Sequence, residues 1–262
     1  MKRKLKIEIG LAVLSLLIAL FGSFLAPYDP LKVNYDFSLQ PPSFLHIFGT
    51  DKLGRDVFSR ILCGAKTSFG LTFLMLFLIV FIGMIVGLIA GLSNDKVESF
   101  FNNIINGLLA FPDTIFEIAV VGIVGAGLFN TVFALALIWW TKYARLTLAL
   151  VKQEKKKNYL VISKMSGVPP LQRVIRYLLP NILSQILVTA FLDIGNMMIS
   201  LAGLSFLGLA SQPPQPEWGA MLYESKQFMQ VAPWMMFFPG LVLFICVFIF
   251  NLLSEDIRDY LD

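Results

Sequence analysis

The residue types that carry most enzyme chemistry are scarce in this chain of 262 residues. Histidine occurs once, as His46, and cysteine occurs twice, as Cys63 and Cys246. A single imidazole excludes a histidine-rich metal site, and a lone histidine in a loop is most often an ordinary surface residue. The two cysteines are expected at different depths, one near the outer face and one inside the last apolar segment. They therefore predict no disulfide.

One short segment, Gly64-Ala65-Lys66-Thr67, is similar to the end of a phosphate-binding loop. The complete loop needs a glycine directly before the lysine, and Ala65 stands at that position. The G-x-S-x-G and H-E-x-x-H patterns are absent as well. We therefore expect no catalytic residue, no cofactor bound by this chain and no nucleic-acid partner, and the sequence leaves metal ligands unassigned.

The most unusual ionisable residue is Asp193, which lies inside a long apolar segment in the run L-D-I-G-N-M-M. A carboxylate within a membrane is costly, and it usually faces the interior of a helix bundle or an aqueous cavity. We therefore predict that Asp193 lines a transport path, with Asn196, Met197 and Met198 beside it. The alternative is a carboxylate that is paired or kept neutral by burial, next to methionines that only pack.

The elements that hold these residues are predicted to be membrane spans. Apolar residues make up 57% of the chain and charged residues 15%, with a mean hydropathy of +0.75. A water-soluble domain of this length needs a surface richer in charge. Six segments approach the roughly 20 apolar residues that a helix needs to cross the hydrocarbon core. They are residues 7–26, 69–92, 112–128, 129–148, 181–209 and 233–253.

The predicted fold is therefore all-α and polytopic, with an N-terminal helix and external loop in residues 1–65 and a core in residues 66–262. We assign the turn between the third and fourth spans to Gly125, Gly127 and Asn130. Residues 93–111 have apolar side chains at helical spacing, which predicts an amphipathic helix in the inner interface.

Orientation follows from lysine and arginine, because cytoplasmic loops retain positive charge. The region between the fourth and fifth spans has many cations and one acid, Glu154. These cations are Lys142, Arg145, Lys152, Lys155, Lys156, Lys157, Lys164, Arg173 and Arg176. We expect this loop and both termini in the cytoplasm, with residues 27–68 and 210–232 outside. The N-terminus carries Lys2, Arg3, Lys4 and Lys6, and its apolar run is too long for a signal core, so we expect a retained first span.

The cytoplasmic loop contains a distinctive segment, residues 158–180. A helical stretch, Gly167, a turn with prolines and a second basic helical stretch predict a helix-turn-helix along the membrane. Such an element can dock into another protein. The alternative is a basic loop that only sets the topology.

A second polar segment, residues 48–62, lies in the predicted external region. Asp51, Gly54, Arg55 and Asp56 indicate a tight turn that leads into a helix and is fixed by local ion pairs. Contact with a substrate is the alternative to this structural role.

Residues 158–180 resemble the coupling segment of permease subunits of binding-protein-dependent ABC importers. Its consensus is E-A-A, three residues, a glycine and, farther on, Leu-Pro. Gly167 and Leu179-Pro180 match that pattern, whereas Val161-Ile162-Ser163 stand at the E-A-A positions. The glutamate is missing, so the ion pair that it would make is not implied for this chain. Docking of the segment by its shape is still implied.

Further motifs resemble the second permease subunit of the dipeptide, oligopeptide and nickel branch, from about residue 8 to the end. They are F-G-T-D-K-L-G-R-D-V-F-S-R at 48–60, L-S-F-L-G-L at 204–209, P-E-W-G-A-M-L at 216–222 and F-N-L-L-S-E-D-I-R-D at 250–259. Three others, at 123–130, 139–145 and 192–198, are closer to nickel importers than to dipeptide permeases. Asn196 departs from that subfamily, where a histidine is expected.

The resemblance implies a type I ABC importer permease fold with six transmembrane helices in the bacterial inner membrane. The implied partners are membrane lipid, a second permease, two ATPase subunits that bind ATP and magnesium, and an external solute-binding protein. The implied cargo is nickel or a nickel–chelator complex, with di- or oligopeptides as the alternative. A self-contained channel or secondary transporter is the third hypothesis. The residues implied to couple to the ATPase are Tyr159, Ser163, Lys164, Gly167, Arg173, Arg176 and Pro180.

Overall fold

The computed structural model describes residues 3–210 and 214–261, and these are almost entirely helical. Lys2 of the basic N-terminal cluster and part of the predicted external segment 210–232 lie outside the described residues. In the described ranges, β-type pairing is confined to one isolated bridge, between Thr50 and Asp56. The helices are α1 (Arg3–Leu25), α2 (Val57–Leu92), α3 (Asp95–Leu109), α4 (Asp113–Val124), α5 (Leu128–Glu154), α6 (Asn158–Met165), α7 (Pro170–Arg173), α8 (Leu179–Leu192), α9 (Ile194–Phe206), α10 (Trp218–Ser225) and α11 (Trp234–Leu261).

Four of the six predicted spans, residues 7–26, 69–92, 129–148 and 233–253, correspond to α1, α2, α5 and α11, with residues 26 and 233 just outside the helices. Among the described residues, five helices are long and apolar enough to cross a membrane, the fifth being the continuous stretch Pro170–Leu192. A sixth crossing results when α3 and α4, which meet at 89°, are taken as one bent span. The structure thus confirms a polytopic helical fold and alters two of the predicted spans.

The third predicted span, residues 112–128, is wrong as a single complete crossing. Its helix α4 has 12 residues, which makes it about 18 Å long and too short for a hydrocarbon core of about 30 Å. Pro112 precedes the helix, and Gly125 ends it with a φ of 100°. The turn predicted at Gly125, Gly127 and Asn130 is present, and the Asn130 amide donates to the Gly125 carbonyl at 2.9 Å.

The predicted amphipathic helix corresponds to α3, and its polar side faces α5. Glu98 pairs with Lys152, and Asn106 accepts a hydrogen bond of 2.7 Å from Arg145. The partners run in opposite chain directions, so α3 lies antiparallel along α5. This helix therefore packs on a neighbouring span as well as carrying an apolar face.

The fifth predicted span, residues 181–209, is wrong as one continuous helix. The chain breaks at Asp193, between α8 and α9. At the other end, the helix continues from the basic loop and does not stop at Leu179-Pro180. Pro180 has no amide to donate, and the preceding turn widens so that the Leu179 amide donates to the Val174 carbonyl, five residues back. This π-turn accommodates the proline within the helix.

The described chain divides into two compact units. The first comprises Met1–Leu74, Ile118–Phe133 and Leu192–Asp262, and the second comprises Met75–Glu117 and Ala134–Phe191. In the first unit α11 packs against α1, α9 and α10. Its buried Trp218 donates from Nε1 to the Ile61 carbonyl at 3.0 Å, which fixes α10 to α2. In the second unit the glycine-rich end of α2 packs against α5.

Candidate functional site

The helix-turn-helix predicted in residues 158–180 is formed by α6 and α7 within the second unit. Helix α6 ends in a Schellman motif, in which the Val168 amide donates to the Ser163 carbonyl and the Gly167 amide to the Lys164 carbonyl. The motif needs a left-handed residue, and Gly167 has a φ of +74°. Pro170 then starts α7, where its fixed φ suits the first helical turn.

This α6–α7 hairpin carries large apolar side chains that are exposed in the subunit. Ile162, Met165 and Leu171 have exposed fractions of 60%, 82% and 71%. Contiguous exposed apolar surface marks a protein or membrane contact. The exposed apolar side chains of the hairpin are therefore available for contact with a protein or a membrane.

The predicted coupling residues divide between the surface and the interior of the second unit. Lys164, Gly167, Arg176 and Pro180 are exposed, while Arg173 and Tyr159 are half-buried. Ser163 is buried, and its hydroxyl donates to the Leu160 carbonyl at 2.8 Å. The exposed members can contact a partner directly, whereas Ser163 stabilises α6 from within.

The start of the hairpin is tied to the end of α5 through Glu154. The Glu154 carboxylate accepts hydrogen bonds from the Tyr159 hydroxyl and, at 2.6 Å, from Lys157 Nζ. Burial and the hydrogen bond to Glu154 raise the pKa of Tyr159 to about 12. The single acid of the basic loop thus has a specific structural role, which the charge count alone did not show.

The predicted path residues lie at the junction of α8 and α9, in the first unit. Asp193, Met197 and Met198 are buried, and Asn196 is exposed. Asp193 occupies the helix break, and its backbone carbonyl accepts the first bond of α9 from the Met197 amide. Among the described residues, no group of three or more histidines, cysteines, aspartates and glutamates is placed to hold a metal.

Residues 48–62, called the external motif after their predicted position, form a buried ion-pair network with Glu224, which was not predicted as a partner. Arg55 contacts Asp51 at 2.6 Å and Glu224 at 2.8 Å. Arg60 also contacts Asp51, and it reaches Glu224 at 2.9 Å. All four side chains are almost fully buried. Glu224 lies two residues beyond the motif at 216–222, so its participation depends on tertiary packing.

Two more features fix the turn of the external motif. Asp56 accepts hydrogen bonds from the Ser59 amide and hydroxyl, and its other oxygen lies 2.9 Å from His46 Nδ1. Gly54 has a φ of +70°, and a Cβ there would stand 1.7 Å from the Asn34 carbonyl oxygen. The motif is thus an internal support for the start of α2, and the single histidine belongs to it.

A cavity of about 450 Å³ lies beside α5 in the second unit, where α3 bends into α4. Trp139, Lys142, Arg145 and Asp113 are among its lining residues. Trp139 Nε1 also donates to Glu117 at 2.8 Å, which pairs α4 with α5. In the sequence, Lys142 and Arg145 contributed to the orientation and to the motif at 139–145, and they lie near the middle of a 27-residue helix.

Comparison with known sequences relates the chain to a transport family. Residues 83–262 match the family of binding-protein-dependent transport system inner membrane components. The chain is 36% identical to the nickel transport system permease protein NikC of Escherichia coli (strain K12), with 98% of this chain and 93% of the relative covered. It is 37% identical to the di/tripeptide transport system permease protein DppC of Pseudomonas aeruginosa (strain UCBPP-PA14), with 97% and 86% covered.

A third relative is named for a different cargo. The chain is 39% identical to the glutathione transport system permease protein GsiD of Shigella flexneri serotype 5b (strain 8401), with 95% of this chain and 83% of the relative covered. Among solved structures, an inward-facing conformation of the MetNI methionine ABC transporter contains a similar chain, with a TM-score of 0.61 and 20% identity. The alignment covers 77% of this chain and 96% of that one.

Proposed function

This chain belongs to the family of binding-protein-dependent transport system inner membrane components, and we propose that it forms half of the pathway of an ATP-driven nickel importer. It is a multi-pass permease subunit of the peptide, nickel and glutathione branch of ABC importers, with the type I permease fold. The finer proposal concerns the cargo, which is the nickel ion or a nickel–chelator complex.

The nickel proposal is supported by the resemblance of three motifs to nickel importers, within an alignment with NikC that includes 98% of this chain. The alignment contains the motifs at 123–130, 139–145 and 192–198. The junction of α8 and α9 around Asp193 is our candidate for the path-lining segment. Because Asn196 replaces the histidine expected in the subfamily, a chelated metal fits this segment better than a bare ion that needs protein ligands.

A di- or oligopeptide importer is the second candidate, because DppC and GsiD are as similar to this chain as NikC. The ABC importer is of the same kind in both cases, and only the cargo differs.

The proposed mechanism places energy conversion outside this chain. A second permease completes the path, two ATPase subunits bind ATP and magnesium, and an external binding protein delivers the cargo. The exposed α6–α7 hairpin docks into one ATPase, so that closure of the ATPase dimer moves α5 and α8 and opens the path outward. Nucleotide binding thus shifts the equilibrium between two states of the permease, whose free energies differ by a few kcal/mol. Both termini of the chain lie in the cytoplasm.

Two measurements test this function. The reconstituted complex is expected to hydrolyse ATP faster when its loaded binding protein is added, and ATPase activity that ignores the binding protein would contradict import. In a strain lacking the gene, radiolabelled nickel uptake is expected to return with the chain and to resist competition by dipeptides. Uptake of dipeptides without nickel would identify the second candidate instead.

A further inference from the structure

A second cavity in the second unit lies between the ends of two membrane spans and the α6–α7 hairpin. It has a volume of about 540 Å³. Three cations, Lys155, Lys164 and Arg173, line it, and none of its lining residues is acidic. Leu92 and Leu178 contribute apolar surface to the same cavity.

The positive charge of this cavity is not balanced within the described part of the chain. Lys155 Nζ donates to a neutral group, the Gly91 carbonyl, at 3.0 Å. Lys164 and Arg173 make no side-chain hydrogen bond or ion pair with any residue that the structure describes. The nearby acid Glu154 is already engaged by Lys157 and Tyr159. Three cations around one cavity repel each other, and an anion placed between them removes that cost.

The position of the cavity favours a lipid as the source of the anion. Leu92 is the last residue of α2, and Lys155 directly follows α5, so the cavity opens where both spans end. This is the cytoplasmic side by the distribution of lysine and arginine. Basic pockets at the cytoplasmic ends of membrane helices bind anionic headgroups, and the arginine fork matches phosphate oxygens.

We propose that this cavity binds the phosphate group of an anionic phospholipid of the inner leaflet. Lys155, Lys164 and Arg173 contact the phosphate, and the acyl chains lie toward Leu92 and Leu178. A carboxylate of a docked protein is the competing occupant. Leu92 and Leu178, two of the apolar lining residues, belong to the membrane-spanning helices, which favours the lipid.

A regulatory consequence rests on the proposed function. Lys164 lies on α6 and Arg173 on α7, so a bound headgroup bridges both arms of the hairpin that we propose as the coupling element. The lipid then orders the hairpin before the ATPase docks. We expect ATP hydrolysis stimulated by the binding protein to be faster in vesicles of phosphatidylcholine with phosphatidylglycerol than in phosphatidylcholine alone.

The binding itself is tested on the purified complex by native mass spectrometry with added phosphatidylglycerol or phosphatidylcholine. The wild type is expected to retain phosphatidylglycerol selectively, and Lys164→Gln and Arg173→Gln are each expected to weaken retention about fivefold. Lys156→Gln is the matched control, because it removes a cation of the same loop that does not line the cavity. Equal retention in all four proteins would overturn the proposal.

Two further outcomes identify other occupants and would also overturn it. Displacement of phosphatidylglycerol by inorganic phosphate at equal concentration would indicate a site for free anions. Loss of the ATPase subunits from Lys164→Gln and Arg173→Gln, with phosphatidylglycerol retention unchanged, would assign the cations to a carboxylate of the ATPase. Lipid retention is measured without cargo or ATP. Its outcome therefore does not depend on whether the proposed transport function is correct.

Discussion

Gly87 of α2 lies so close to Thr147 of α5 that a Cβ atom on Gly87 would stand 2.5 Å from Thr147 Cβ. Gly83 and Gly91, one turn away on either side, are equally close to Tyr143 and Val151. Glycines at this spacing let the backbones of two membrane helices approach each other. The contact fixes α5, which leads to the α6–α7 hairpin, against α2 within the second unit.

Gly87→Ala is therefore expected to destabilise the protein. The added methyl group meets both Thr147 and the Ala144 carbonyl, and overpacking of this kind costs about 1–3 kcal/mol. Thermal unfolding in detergent measures the effect as a lower Tm. Gly70→Ala is the control on the same helix, because no atom lies within 4 Å of its Cβ position. Equal Tm values for the two variants would show that α2 and α5 can move apart around the methyl group at little cost in free energy.

Glu224→Gln is expected to destabilise the external network strongly. The substitution removes the carboxylate that both Arg55 and Arg60 contact. Breaking a buried ion pair by neutralising one partner costs about 3–5 kcal/mol, because a buried charge is left uncompensated. The Tm in detergent and the rate of protease cleavage in residues 38–52 measure the loss. Glu255→Gln, at an exposed position of α11, is the control and should behave as wild type.

The sequence predicted this network only in part. The alternating charges of Asp51, Arg55 and Asp56 around Gly54 predicted a turn fixed by local ion pairs, and the pair of Asp51 and Arg55 is present. The third and fourth members could not be found in the same way, since Arg60 and Glu224 are far apart in the chain and meet only after α10 packs on α2. Hydropathy likewise located α1, α2, α5 and α11, where one long apolar run forms one helix.

Hydropathy failed where polar or backbone features interrupt an apolar run. Asp193 and its neighbours lie in continuous apolar sequence, and nothing in a hydropathy window marks the break between α8 and α9. The opposite error occurred at Pro180, which indicated a helix boundary although a π-turn carries the helix through it. The structure of the α6–α7 hairpin was predicted more fully, because Gly167 and the prolines mark its turn directly in the sequence.

Tyr159 is expected to ionise at a higher pH than an ordinary tyrosine. Its pKa is raised to about 12, because burial and its hydrogen bond to Glu154 favour the neutral phenol. The contact therefore stabilises α6 fully below the unfolded pKa of about 10 and is lost as the pH rises toward 12. The absorbance titration of the wild type minus that of Tyr159→Phe should show one tyrosine that ionises late. The late step of Tyr159 should remain in Tyr35→Phe, whose side chain is largely exposed in the wild type.

Asp193→Asn is expected to alter uptake more than assembly. The substitution keeps the size of the side chain at the break between α8 and α9 but removes the ionisable group from a buried position. Cargo uptake and the amount of assembled complex are measured on the same membranes. Ile199→Ala, an exposed apolar position of α9, controls for a general effect of substitution in this helix. Normal uptake and selectivity in Asp193→Asn would assign the carboxylate to packing alone.

Gly167→Leu is expected to reduce transport while leaving insertion of the chain intact. A side chain in the left-handed conformation costs about 1–2 kcal/mol, and the Schellman motif that ends α6 depends on that conformation. No atom lies within 4 Å of the Cβ position, so the leucine side chain projects from the hairpin surface. Cargo uptake and co-purification of the ATPase subunits are the measurements.

Gly167→Asn separates the two effects, because asparagine tolerates the left-handed conformation and is small. We expect this variant to transport at a rate close to wild type and Gly167→Leu to be impaired. If both variants lose transport equally, the turn tolerates no side chain at all, and bulk at the docking surface is not the cause. If Gly167→Leu transports normally with the ATPase still bound, the α6–α7 hairpin is not the element through which ATP hydrolysis acts.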